Sequence, residues 1–172
     1  MKTLTKALAI GVLMVLLAAA PAIQGSSSGK HNQASAGCTC HYNAGGITAT
    51  NDFPTSYNAG QVYSINIGHT GGSQAFVGGF NVVVNKGTIQ NAGSGVQISG
   101  GTSATHTSSG QLGWTFDWQA PSAGSGTVSV DIAVMQANGD NQNSGDAWDT
   151  DSVSITEIVV QNTPPVATNV YV

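Results

Sequence analysis

The chain has 172 residues, and its eight acidic residues outnumber four lysines, with no arginine, so the formal net charge is −4 with neutral histidines. An acidic surface repels phosphate backbones and excludes nucleic-acid binding. Charged residues make up only 7% of the chain and there are 23 glycines, a composition typical of an exported β-protein with many turns.

Residues 1–25 are predicted to be a secretory signal peptide. Lys2 and Lys6 precede an apolar run over residues 7–20, and small residues near Ala22 and Gly25 would suit cleavage. A membrane span needs roughly 20 apolar residues, so a cleaved leader is favoured over an uncleaved anchor. We therefore expect a secreted or cell-surface protein without a membrane span in the mature chain.

Residues 26–36 are predicted to be a flexible leader, residues 37–160 a domain, and residues 161–172 a proline-containing linker to a further domain. About seven short strands separated by turn signals predict an all-β fold, an immunoglobulin-like two-sheet β-sandwich. The strand signals fall at residues 47–53, 62–67, 75–84, 88–90, 96–98, 111–118, 126–135 and 152–160.

Two local features refine the strand prediction. Gly78 and Gly79 lie inside an apolar strand, which indicates a β-bulge or a close backbone contact. Trp114, Phe116 and Trp118 alternate with polar residues. Side chains spaced by two share one face of a strand, so we expect this stripe to lie in the core and not to form a sugar-stacking surface.

Both cysteines of the chain lie in the stretch Gly37-Cys38-Thr39-Cys40-His41. Two thiols followed by an imidazole are similar to the c-type haem attachment signature Cys-x-x-Cys-His, with a spacer one residue shorter. A haem would take thioether bonds from Cys38 and Cys40 and its proximal iron ligand from His41. The candidates for the distal ligand are, in order, His106, His69 and Met135.

Two other interpretations of the cysteine cluster stay open. Thiolates and imidazole also suit copper or zinc, with His31 or His106 completing the ligand set. In an oxidising compartment the two cysteines could instead form a structural Cys38–Cys40 disulfide that clips the N-terminal segment onto the domain. His69 and His106 also have plain interpretations, as polar residues of a surface turn and of an exposed Ser/Thr-rich run.

The loop over residues 140–146 is rich in oxygen donors, with Asp149 and Asp151 behind it. Hard oxygen ligands at this spacing suit Ca²⁺, and Asp140, Asn143 and Asp146 are the candidate ligands. A solvated acidic turn is the alternative, because loops are normally polar. No hydrolase or phosphate-loop motif occurs and Glu157 is the single glutamate, so we do not expect an enzyme.

Several motifs occur in a characteristic order along the chain. The cysteine cluster is followed by Pro54-x-x-Tyr57-x-x-Gly60-Gln61-x-Tyr63, Gly79-Phe80, the block from Trp114 to Val128 with its Ala120-Pro121 step, Ala137-Asn138-Gly139 and Gly145-Asp146. This order resembles the reelin-type (reeler) domain of the choice-of-anchor V group of exported bacterial and archaeal proteins, over roughly residues 36–158.

That resemblance implies an immunoglobulin-like sandwich at the cell surface or envelope. Members usually begin with Cys-x-x-Cys-His and often carry a His-Thr pair, which His106-Thr107 matches. The resemblance itself supplies no activity, and it is the cysteine cluster with the export signal that favours haem c and a role as an extracytoplasmic electron carrier with an unknown redox partner. The alternative functions are a surface adhesion or interaction module with a structural disulfide, and a copper or zinc carrier.

Overall fold

The computed structural model describes residues 26–72 and 77–159. The predicted signal peptide and linker lie outside these residues. The elements are a 3₁₀ helix, Ala34–Ala36, and the strands β1 Ile47–Asn51, β2 Ser56–Tyr57, β3 Val62–Gly71, β4 Val77–Val84, β5 Thr88–Gln90, β6 Val96–Ser99, β7 Ser103–His106, β8 Gly113–Gln119, β9 Val128–Ala137 and β10 Ala147–Glu157.

The strands form two sheets, which confirms the predicted all-β sandwich. One sheet has four strands in the order β1-β3-β8-β5, and the other has six in the order β2-β10-β9-β4-β7-β6. Neighbouring strands are antiparallel except β2 and β10, which run parallel. No helix among the described residues is long and apolar enough to cross a membrane.

The aromatic stripe of β8 lies in the core, as predicted. Trp114, Phe116 and Trp118 are 3%, 1% and 0% exposed. Their rings meet aromatic side chains of neighbouring strands, with centroid distances of 4.7 Å from Trp114 to Phe80 and 5.7 Å from Trp118 to Tyr63. Truncating a core aromatic residue of this kind costs about 3–5 kcal/mol of stability.

The paired glycines of β4 make a close contact and no bulge. The ladder between β4 and β9 continues without interruption through Gly78 and Gly79. A Cβ atom at Gly79 would lie 2.6 Å from Cε1 of His106, and one at Gly78 would lie 2.7 Å from the carbonyl oxygen of Gln111. Glycine is needed here because neighbouring groups approach the backbone too closely for a side chain.

Strand β7 is buried, whereas the sequence pattern indicated an exposed polar run. All four of its residues are buried, His106 among them. Its polar face is covered by residues 26–46, which we call the N-terminal arm. The arm lies on the face of the six-stranded sheet that points away from the core, so alternating polar residues are buried there as well.

Hydrogen bonds to buried side chains hold the first part of the arm. The backbone N–H of Asn32 donates to Oγ of Ser103 at 3.1 Å, and that of Gln33 donates to Oδ1 of Asn81 at 2.7 Å. Nδ2 of Asn81 also donates to Oγ of Ser103 at 3.1 Å. Ala34 packs beside them and is 1% exposed. The segment predicted as a flexible leader thus lies against β4 and β7.

The loop between β8 and β9 is held by a carboxylate of β10. Oε1 and Oε2 of Glu157 accept hydrogen bonds from the backbone N–H groups of Gly124 and Gly126, each at 2.7 Å. These two donors lower the pKa of Glu157 below its ordinary value of 4.5, because they stabilise the charged form. The two hydrogen bonds to Glu157 therefore stabilise the fold fully above the ordinary pKa of the carboxyl group. This stabilisation is lost as the pH falls through the lowered pKa of the folded protein.

We expect Ser103→Ala to lower the free energy of unfolding by about 1–3 kcal/mol, because buried donors of the arm and of Asn81 lose their acceptor. Urea denaturation measures the loss, and hydrogen exchange should show the arm opening first. Ser99→Ala, at an exposed position of β6, is the matched control and should change stability by less than about 0.5 kcal/mol. Equal effects of the two variants would contradict a role of Ser103 in holding the arm.

We expect Glu157→Gln to be less stable than the wild type at pH 7 and nearly as stable as the wild type at pH 2 to 3. The neutral amide replaces a carboxylate that only contributes when ionised. Thermal unfolding across this pH range measures the difference. Asp131→Asn removes a carboxylate that accepts only a hydroxyl hydrogen bond, from Ser152, and serves as the control. A Glu157→Gln deficit that does not shrink in acid would contradict the interpretation.

Candidate functional site

The cysteine cluster forms a tight turn in the arm, above β10. The N–H of His41 donates to the carbonyl of Cys38 at 2.9 Å and closes the turn. Gly37 precedes it with φ of 72°, and a Cβ atom there would lie 2.6 Å from Cζ3 of Trp148. Both the positive φ and the contact require glycine, because the backbone crosses directly over the indole ring.

His41 is oriented by a buried carboxylate from the far end of the chain. Its Nδ1 lies 2.6 Å from Oδ2 of Asp146, a residue that is 0% exposed. Oδ1 of Asp146 accepts from the N–H of Asn138 at 2.9 Å, and Nε1 of Trp148 donates to the carbonyl of His41 at 3.1 Å. An ionised carboxylate only accepts hydrogen bonds, so Nδ1 of His41 is the donor in this contact and Nε2 is the nitrogen left for another partner.

The two thiols of the turn are free and differ in their surroundings. Burial, with a smaller repulsion from Cys40, raises the pKa of Cys38 to about 12, so Cys38 is a neutral thiol at physiological pH. Nζ of Lys30 donates to Sγ of Cys40 at 3.8 Å. A positive charge therefore stands beside the Cys40 sulfur.

Two adjoining cavities surround His41. The smaller, of about 110 Å³, is lined by the thiols and by Lys30, Gly79, Phe80 and Ala133, among others. The larger, of about 530 Å³, extends toward the loop over residues 138–143. Residues that line both cavities are Ser26, His41, His106 and Met135. The structure thus brings Cys38, Cys40 and His41 together with His106 and Met135, the first and third distal candidates.

His106 lies at the boundary between the smaller cavity and the core. It is 7% exposed, and its ring centroid is 6.3 Å from that of Trp114. The N–H of Phe80 donates to its Nδ1 at 3.1 Å, just past the last residue at which β7 pairs with β4. Burial lowers the pKa of His106, while hydrogen bonds to the backbone of Phe80 and Ser26 act in the opposite direction. These hydrogen bonds fix the ring at the point where β7 no longer pairs with β4.

The remaining histidines lie elsewhere. His69 is half-buried within β3, where it pairs with Ala49, and is not an exposed turn residue as the sequence suggested. Burial lowers its pKa. Nδ1 of His31 lies 3.2 Å from Oγ of Ser103. Neither histidine lines the two cavities.

The donor types of the turn are those of a c-type haem site, but the cavities do not hold a haem as they stand. The thiols line only the smaller cavity, of about 110 Å³, and the larger one, of about 530 Å³, is lined mainly by polar residues without either cysteine. Nε2 of His41 would ligate the iron, and the free thiols of Cys38 and Cys40 stand on the same turn. The ring of Phe80 packs in the aromatic core, 4.7 Å from that of Trp114, so a haem at the turn would require the arm to move.

The described residues offer an incomplete set of ligands for a single metal ion. In the part of the chain that the structure describes, no group of three or more His, Cys, Asp or Glu side chains is placed to hold a metal ion. The predicted calcium loop uses its oxygens internally: Asp146 bonds to His41, and Asp140 bonds to the N–H of Gln142 at 2.7 Å. Asn143 contributes its carbonyl to the N–H of Tyr42 at 2.7 Å.

A Cys38–Cys40 disulfide would not fasten the arm to the sandwich. Both cysteines belong to the arm, so the bond would close a ring within it. Fastening comes instead from His41 and from Asn43, whose Oδ1 accepts from the N–H of Trp148 at 3.0 Å. The disulfide itself stays a prediction.

Sequence reasoning missed three contributors to the site. Asp146 was assigned to calcium, because a contact with His41 across 105 positions leaves no local signal. No motif marks Trp148, and Lys30 enters the sequence analysis only as one of the four lysines. One signal was available for Lys30: it is one of two lysines after the leader and precedes the cysteines by few residues.

Comparisons with known proteins give structural likenesses alone. No protein-family model matches the chain, and no curated protein matches it. Among solved structures, the chain is similar to fragment 1 of the human F-spondin reeler domain, with 15% identity over 69% of this chain and 87% of that chain and a TM-score of 0.44. Fragment 2 of the human F-spondin reeler domain is similar at 18% identity, over 67% of this chain and 96% of that chain, with a TM-score of 0.46.

A crystal structure of the Reelin-N domain of F-spondin is similar at 15% identity, over 76% of this chain and 84% of that chain, with a TM-score of 0.44. These proteins carry the kind of domain that the sequence motifs resemble. With TM-scores below 0.5 the likeness supports no argument about fold or function, and membership of the choice-of-anchor V family remains a prediction.

Proposed function

We propose that this chain is an extracytoplasmic electron carrier that holds one c-type haem at the turn formed by Cys38, Cys40 and His41. The observation that carries the proposal is the 2.6 Å contact between Nδ1 of His41 and the buried carboxylate of Asp146. Metal-ligating histidines commonly donate their second ring nitrogen to a carboxylate, which fixes the ring and strengthens the ligand. Two free thiols on the same turn point to covalent haem.

A haem bound here would supply a reversible one-electron iron couple. The chain's own residues fix the position of that couple and set its environment. Asp146 would favour the more positive oxidation state through His41, and the arm would shield one side of the site from water. Location outside the cytoplasm follows from the predicted leader, and the redox partner is not identified.

For the distal position, the geometry favours Met135 over His106. Nδ1 of His106 is engaged by the Phe80 backbone, and its ring also bonds to the Ser26 backbone. Using either nitrogen for iron would break one of these bonds. Met135 is half-buried and lines both cavities, and a thioether is an established haem ligand.

Copper is the second candidate function, favoured by the volume of the smaller cavity. At about 110 Å³ it suits an ion, and it is lined by the sulfurs of Cys38, Cys40 and Met135 beside His41. Soft sulfur ligands select Cu(I). The arm would have to shift to bring three donors to one ion.

We expect the mature protein, co-expressed with a c-type maturation system, to show a Soret band and a haem stain that survives a denaturing gel. His41→Ala should lose most of the bound haem or the spectrum of its ligated iron, whereas His31→Ala, on the same arm, should keep both. A colourless protein, under conditions that mature a Cys-x-x-Cys-His control, would contradict the haem proposal. One copper per chain by elemental analysis would then support the second candidate, and zinc would exclude both. A protein with neither metal nor haem and no free thiol would indicate a surface interaction module with a disulfide.

We expect Asp146→Asn to keep its haem and to raise the midpoint potential by roughly 60 mV, which corresponds to a tenfold weaker preference for Fe(III). The amide removes the negative charge behind His41. Redox titration of the purified protein measures the change. Asp151 lies at an exposed position of β10 and its carboxylate bonds only to side-chain and neighbouring backbone groups, so Asp151→Asn should shift the potential little. An unchanged potential in Asp146→Asn would show that His41 does not ligate the iron.

A further inference from the structure

We propose that residues 26–36, which we call the strap, open away from the sheet by themselves while residues 37–46 of the arm stay in place. The strap forms one wall of the smaller cavity, so its opening is the route by which a ligand reaches that cavity. The inference goes beyond the proposed function, because it concerns the folded chain before any cofactor is bound and depends on no particular ligand.

The strap is joined to the sandwich through side chains. Among the residues that the structure describes, every hydrogen bond between the strap and the sandwich involves a side chain. The N–H groups of Asn32 and Gln33, for example, donate to side chains of the sheet at 3.1 and 2.7 Å. The backbone–backbone hydrogen bonds of the strap stay within the arm, as from the N–H of Gly29 to the carbonyl of Ser26 at 3.1 Å. The strap can therefore detach with its internal turns intact.

The part of the arm that follows is fixed by backbone pairing. The N–H of Tyr42 donates to the carbonyl of Asn143 at 2.7 Å, and that of Ala44 donates to the carbonyl of Asp146 at the same distance. Proteins open locally in units, and segments held by few contacts open at a lower free-energy cost than paired backbone. The boundary between the two kinds of attachment places the end of the opening unit before Tyr42.

Little apolar surface holds the strap against the sheet. Ala34 is its one fully buried apolar side chain in the described part of the chain, and it is 1% exposed. Hydrophobic stabilisation grows with the apolar area that is buried, and alanine contributes a single methyl group. The strap thus belongs to the least stable part of the fold, where opening does not require global unfolding.

Opening of the strap uncovers the smaller cavity. Four strap residues line this cavity: Ser26, Gly29, Lys30 and Gln33. Gly79 and Ala133 of the sheet line it too, together with Cys38 of the adjoining turn. Its volume of about 110 Å³ is below the roughly 300–1,000 Å³ of pockets that hold organic ligands. A molecule of that size therefore reaches the cavity only when the strap is open.

Gly29 offers a variant that forces the strap open without removing a hydrogen bond. Its φ is 74°, and a Cβ atom there would lie 2.7 Å from the carbonyl oxygen of His106 and 2.7 Å from Cγ2 of Thr105. Gly45 is a matched control on the same arm, because its φ is 71° and a Cβ atom there would meet nothing within 4 Å. Both alanine variants carry the cost of a left-handed backbone, and only Gly29→Ala also pushes the strap away from β7.

Hydrogen exchange of single amides, followed by NMR in the haem-free mature protein, tests the inference. We call the N–H groups of Asn32 and Gln33 the strap amides, and those of Tyr42 and Ala44 the anchor amides. In the wild type, the strap amides should exchange at least about tenfold faster than the anchor amides, after correction for intrinsic rates.

The two glycine variants then separate the strap from the rest of the arm. Gly29→Ala should speed exchange of the strap amides by at least about tenfold more than Gly45→Ala does. The anchor amides should respond equally to both variants. Strap and anchor amides that exchange at one common rate, in the wild type and in Gly29→Ala, would overturn the inference, because the arm would then open only as a whole.

A maleimide coupled to a polyethylene glycol chain measures access to the cavity. Only Cys38 can react in a Cys40→Ser background, and the reagent is larger than the cavity. Adding Gly29→Ala should speed the labelling by at least about tenfold, whereas adding Gly45→Ala should leave the rate nearly unchanged. The same labelling rate with and without Gly29→Ala would show that the strap does not control access.

Circular dichroism checks that each variant is folded. Should Gly29→Ala not fold, Ser103→Ala takes its place, because it removes the acceptor of the Asn32 N–H. Its control is Asn85→Ala, which removes a side-chain acceptor from the backbone N–H of Ser129 instead. A strap that opens in a protein that never takes up haem contradicts the proposed function alone and leaves this inference standing.

Discussion

The site depends on one hydrogen bond, between Nδ1 of His41 and Oδ2 of Asp146, which joins segments 105 positions apart. Asp146 is fully buried and directly precedes β10, and an unpaired buried carboxylate costs several kcal/mol. His41 and the N–H of Asn138 satisfy its two oxygens. The same bond therefore fastens the arm, satisfies a buried carboxyl group and fixes the imidazole ring of a residue that lines both cavities.

Another part of the arm is also held by hydrogen bonds, from its backbone to polar side chains that lack enough partners within the sheet. Ser103 and Asn81 point away from the core, on a face that water would normally reach. With the arm in place, both are buried and bond to its backbone. Burial of a polar group is tolerated when its hydrogen bonds are made, so the arm and the sheet stabilise each other.

The cavities follow from this arrangement. The arm bridges the outer face of β4 and β9, where glycine at position 79 and alanine at position 133 leave space beside the strands. The ring of His106 closes one side where β7 ends, and the loop after β9 closes the other. Small residues of the six-stranded sheet thus line the same cavity as the two thiols.

Alternation of apolar residues predicted the strands and the core position of the β8 aromatic residues, because side chains spaced by two share one face of a strand. The glycine pair inside an apolar run predicted a bulge or a close contact, and the structure has the close contact. The residue types at positions 38, 40 and 41 likewise predicted a cluster of two thiols and an imidazole, because residues adjacent in the chain are also close in space. Three features were decided by the tertiary structure alone: the burial of β7, the role of Asp146 and the proximity of Lys30 to Cys40. Each depends on the arm folding back over a distant strand, and contacts between residues far apart in the chain leave no periodic signal in it.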